Sequence, residues 1–152
     1  MSGPSLDGDT LTLESQPIKI IGLTGPTLDR TVLSIPALRT VLGGIPIVAG
    51  EHVWMADTQS AQSHAHWLQT LATIKALNPT RVIPGHYAAD AALDISAVDF
   101  TANYIRAFDA ETARSKDANA LIAAMKKRYP NLAGESSLEL SAKVAKGEMQ
   151  WP

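Results

Sequence analysis

Four histidines and the acids near them carry most of the chemistry available to this chain of 152 residues. His86 ends the apolar run RVIPGHY, residues 81–87, directly after Pro84-Gly85. In open α/β sheets ligands gather at the carboxyl ends of strands, so a histidine delivered there by a Pro-Gly bend is placed to meet a metal, a proton or a polar ligand. The plain alternative is an imidazole satisfied by a backbone carbonyl. His52 lies in GEHVWMAD, a connection between a strand and a helix, where function concentrates more than in framework positions. Trp54 in the same loop offers apolar contact, and Glu51 or Asp57 could orient His52 or His86 as a general base. Alternatively, His52 and Trp54 only pack the turn, with Glu51 in water. His64 and His66 form an H-x-H pair, but helical residues two apart face nearly opposite directions and cannot share an ion. They fit ordinary helix positions, His64 beside Trp67, Leu68 and Leu71, and His66 on the polar side with Gln62, Thr70 and Thr73.

Composition removes several other chemistries. There is no cysteine, which excludes disulfides, thiolate nucleophiles and thiolate metal sites. No G-x-S-x-G elbow presents a serine nucleophile. Thirteen basic residues against 15 acidic, with Lys126-Lys127-Arg128 the one basic block, argue against a nucleic-acid surface. Apolar runs fall short of the roughly 20 residues that a membrane span requires. MSGPSLDGDT has neither the basic nor the apolar region of a secretory signal, so a cytoplasmic protein without a membrane partner is expected.

The elements that must position these side chains change character near Asp57. Before it, residues 10–13, 18–23, 31–35 and 40–48 are β-branched and aliphatic runs separated by Gly8-Asp9, Gly25-Pro26, Pro36-Ala37 and Gly43-Gly44, the pattern of a meander. After it, Trp67, Leu68, Leu71, Ile74 and Leu77 recur at helical spacing up to Asn78-Pro79, and Asp57 or Thr58 is the expected N-cap. Residues 81–84 then form a strand expected to join the meander's sheet. Three helices close the chain. One covers residues 98–115 with Phe100, Tyr104, Ile105 and Phe108 on one face, the next is capped by Asp117 and ends at Tyr129-Pro130, and the last is capped by Ser136 or Ser137. Residues 1–9 are expected to be a flexible tail, and residues 10–152 a single α/β domain.

The segment WLQTLATIKALNPTRVIPGH, residues 67–86, resembles the part of the metallo-β-lactamase superfamily where a helix leads into a strand ending V-x-P-G-H. Upstream, GLTGPTLDRTVLSIPALRTVLGG is similar to the hairpin that follows the superfamily's G-H-T-x-G turn. The likeness covers residues 18–90. It implies the carboxy-terminal half of an αββα sandwich, a mixed sheet with helices on one face. It also implies that His86 occupies the place of a metal ligand, with zinc as the family's cofactor.

The departures from the family matter equally. H-x-H-x-D-H does not occur in this sequence; Leu23 stands where the resemblance places the histidine of G-H-T, and Gly44 where it places a bridging aspartate. A catalytic zinc takes about three protein donors plus an open position for water. No cofactor is therefore expected within this chain, and the family's hydrolysis of an ester, thioester or lactam is expected not to run. A half-sandwich also leaves an apolar sheet face uncovered, which predicts a homodimer packed sheet on sheet. Set beside an inactive hydrolase portion, the alternative is a stand-alone pseudoenzyme or binding protein. It would hold a small molecule among His52, Trp54, His86 and Tyr87, with His52 and Asp57 the remaining catalytic candidates.

Overall fold

A computed structural model describes residues 8–24, 27 and 29–152. The expected tail therefore lies outside the described residues except for Gly8 and Asp9, and so does the turn at Gly25-Pro26. Four strands form the predicted meander: β1 (Thr10–Leu13), β2 (Gln16–Ile21), β3 (Val32–Ile35) and β4 (Thr40–Leu42) pair antiparallel in sequence order. Beyond β4 the run predicted to reach residue 48 breaks. Gly43 and Gly44 both take positive φ, near +76° and +75°, and the chain leaves the sheet before β5 (Val48–Ala49). The apolar residues Ile45 and Ile47 continue the composition of a strand, but the two glycines set the backbone direction.

Helix α1 (Ala61–Ala76) follows, carrying the predicted stripe inward as Trp67, Leu71 and Ile74. Its cap is Ser60, three residues beyond Asp57. Ser63 N–H donates to Ser60 Oγ at 3.0 Å, and Ser60 N–H donates to Ser63 Oγ at 3.2 Å, a reciprocal box that satisfies two orphan donors. The chain then crosses over to β6 (Arg81–Ile83), which pairs parallel with β4 as a βαβ unit and completes the mixed sheet in the order β1-β2-β3-β4-β6. A short unforeseen strand, β7 (His86–Tyr87), pairs parallel with β5. Helices α2 (Ser96–Arg114), α3 (Ala118–Arg128) and α4 (Glu135–Ala145) complete the fold. Asp117 caps α3 as predicted, accepting from Ala120 N–H at 2.8 Å. Helix α4 begins ahead of Ser136, behind Gly134 in the left-handed region at φ +76°.

Cross-strand partners share a face, so the registers divide the sheet into two layers. On one face Ser34, Val41 and Val82 are in line, and with Val32 they are buried against Trp67, Leu71 and Ile74 and the inner residues of α2. The opposite face carries Leu11, Ile18, Ile20, Leu33, Leu42 and Ile83. These are aliphatic too, yet they are half-buried or exposed and none joins the core. Among the described residues helices cover one side of the sheet only.

Candidate functional site

Strands β2, β4 and β6 run in one direction, because β3 reverses between β2 and β4 and β6 is parallel to β4. Their carboxyl ends therefore bring Leu23, Gly44 and His86 to the same edge of the sheet. Gly85 and Gly44 touch there: a Cβ added to Gly85 would lie 1.8 Å from the carbonyl oxygen of Gly44. A Cβ on Gly44 would lie 1.8 Å from the Thr31 carbonyl oxygen, at a φ of +75° that L side chains avoid. No carboxylate can stand at position 44 in this backbone. Leu23 is exposed and has no donor atom. Among the described residues no three His, Asp, Glu or Cys side chains converge closely enough to hold an ion. The residues at this edge do not fit the zinc that the resemblance implies.

Just below the edge the chain concentrates its polar groups. Glu51, His52, Trp54, Asp57 and His86 line one cavity of about 280 Å³, with Ile45, Val48 and Val53 as apolar wall and Ser137 of α4 opposite. The register of β5 and β7 explains the meeting: Val48 pairs with His86 and Ala49 with Tyr87, so the loop after β5 starts beside the strand-end histidine. The bridge from Glu51 to Ala133 then ties that loop to the segment leading into α4. Tyr87, grouped with these residues from the sequence, does not line the cavity; neighbours on a strand point to opposite faces, and its ring is 43% exposed.

The geometry around His52 differs from a carboxylate-oriented base. Its side chain is 4% exposed, and Nδ1 lies 2.9 Å from the Tyr104 hydroxyl on α2. Burial raises the Tyr104 pKa and lowers that of His52, the nearby Glu135 charge opposing the latter. The phenol thus stays protonated beside a neutral imidazole, and one hydrogen bond joins its hydroxyl to Nδ1. Neither Glu51 nor Asp57 bonds to His52. Asp57 instead accepts from Arg30 Nη2 at 2.6 Å.

Arg30 and Tyr104 are the participants that sequence spacing does not announce. The Arg30 side chain is fully buried, bonded to Asp29 and Asp57, with its guanidinium carbon 4.7 Å from the centre of the Trp67 ring. An arginine following a turn reads as solvent-facing; its partner is 27 positions away. Tyr104 falls in the apolar stripe of α2, where its hydroxyl leaves no periodic signal.

The H-x-H pair diverges as helix geometry requires. His66 Nδ1 meets Thr27 Oγ1 at 2.5 Å. His64 turns inward, with Nδ1 at 2.7 Å from Asp109 and Nε2 at 2.5 Å from the Thr58 carbonyl. Two acceptors require two N–H donors. Burial opposes the charge, but the Asp109 carboxylate and the Thr58 carbonyl outweigh it and raise the His64 pKa. These contacts favour the charged ring, and His64 ties α1 to α2.

No protein-family model matches this chain, and no curated protein matches it in sequence. Among the described residues no helix is long and apolar enough to cross a membrane.

Proposed function

We propose that this chain is the carboxy-terminal half of a metallo-β-lactamase-like fold in which metal-dependent hydrolysis does not run, and that its retained capability is to bind a small molecule in the cavity beside His86 and His52. The supporting observation is the shared edge of β2, β4 and β6. Positions 23, 44 and 86 lie along that edge, and of the three only His86 offers a side-chain donor atom. One imidazole does not hold a catalytic zinc. A metal-independent hydrolase is disfavoured as well, since His52 is oriented by Tyr104 and the carboxylate of Asp57 is engaged by Arg30.

The cavity has the makeup of a small-ligand site: apolar walls, an indole and a few convergent polar groups. The bare apolar sheet face supports the second part of the reading, a homodimer packed sheet on sheet. Amide and indole NMR of the labelled protein against a fragment mixture tests the binding function. Hits should shift His52, Val53 and Trp54 together and lose affinity in Trp54→Ala. A mixture that leaves those signals in place, or moves only distant ones, contradicts it.

A further inference from the structure

Charge on the cavity wall narrows what can enter it. Glu51 and Asp57 line the cavity, and Asp29 stands behind Asp57 on the same guanidinium. Of the nearby cations, Arg30 is consumed between Asp29 and Asp57, and Lys126, close enough to act on His52, is paired with Glu135 at 2.5 Å. Every one of the chain's 13 lysines and arginines is among the described residues, and none lines the cavity. The Glu51 side chain has no hydrogen bond or ion pair among the described residues. His52, 4% exposed, contributes no compensating charge. Its Nδ1 is held by Tyr104, and Nε2, also without a partner among the described residues, is the edge left for whatever occupies the space. Trp54 supplies an aromatic surface beside the carboxylates.

We infer that the cavity takes a small organic cation, an amine or ammonium group on an apolar body, with the nitrogen at Glu51 and the body against Trp54, Val48 and Val53. Carboxylate and indole act on such a group together: the charge attracts it, and the ring stabilises its poorly hydrated alkyl or aryl portion. An anion would meet the Glu51 carboxylate at close range, beside a wall where acids outnumber the cations paired with them, and is excluded. A volume of about 280 Å³ suits a ligand of one ring and a short chain. The inference rests on the binding function proposed above and adds the chemical class of the ligand.

Three probes that share a phenethyl body decide it: phenethylamine, 2-phenylethanol and 3-phenylpropionate, titrated at pH 7.5 into wild type and Glu51→Gln, with His52 and Trp54 signals reporting position. Phenethylamine should bind at least about tenfold more tightly than the alcohol, and the acid should not bind. Added salt should weaken the amine alone. Glu51→Gln should bring the amine's affinity down to that of the alcohol, while its amide spectrum away from the cavity should match wild type, which shows that the variant is folded. If the alcohol or the acid binds as well as the amine, the ligand class is overturned while the binding function stands. If none of the three moves the cavity signals, both fall.

Discussion

The two faces of the five-stranded sheet are built from the same strands with similar residues and meet different fates. Val41 and Val82 are 1% and 0% exposed beneath α1 and α2, whereas Leu42 and Ile83, one step along the same strands, lie outside the core. Helices α1 and α2 cover one sheet face, α3 and α4 pack beyond α2, and the core uses that face. An aliphatic face left half-buried or exposed is the kind of surface that a second layer would cover, which is what the proposed half-sandwich predicts.

Substitutions separate the two faces by size of effect. On the covered side, Trp67→Ala removes a fully buried ring, the Arg30 stacking contact and the donor to the Pro46 carbonyl oxygen. Urea unfolding should show a loss of about 3–5 kcal/mol. Next is Asp57→Ala, which leaves the buried guanidinium of Arg30 with Asp29 alone. The same measurement should lose roughly 2–3 kcal/mol, less than for a fully buried pair because the Asp57 side chain is 28% exposed. On the bare side, Leu42→Lys should change the stability of the monomer by less than about 0.5 kcal/mol. Wild type packed sheet on sheet should sediment faster as its concentration rises, and Leu42→Lys should abolish that shift. A loss above about 2 kcal/mol at concentrations where wild type is monomeric would mean that this face is covered within the chain, and the comparison would break.

The smallest effect concerns pH. The folded-state pKa of His64 lies above its ordinary value of 6.5, so the stabilisation it brings is complete below that value and fades as pH rises through the folded pKa. Thermal melts from pH 6 to pH 9 should show wild type losing more stability across that span than His64→Gln. Equal slopes would remove His64 as a charged link between α1 and α2.

Periodic features of this fold are legible in the sequence, and features made by distant partners are not. Trp67, Leu71 and Ile74 declare α1, the β-branched and aliphatic run of residues 31–35 declares β3, and Asp117 marks its helix, because each signal repeats or sits within a few residues of its cause. The break after Leu42 is hidden: Ile45 to Val48 keep the composition of a strand while the positive φ of Gly43 and Gly44 turns the chain away. The cap at Ser60 is hidden because Asp57 is an equally good cap by type, and its engagement with Arg30 is a tertiary fact. At the cavity, His52, Trp54 and His86 are found from loop position and strand end. Tyr104 is not, since a hydroxyl on a core-facing helical ring looks like any other aromatic.

Zinc titration calorimetry, paired with metal analysis of the dialysed protein and assays on ester, thioester and lactam substrates, tests the donor count most directly. The account predicts no stoichiometric zinc, no saturable site tighter than about 1 mM and no zinc-dependent turnover, in wild type and His86→Ala alike. One zinc per chain at about 1 µM or tighter, lost in His86→Ala and accompanied by hydrolysis, would contradict it.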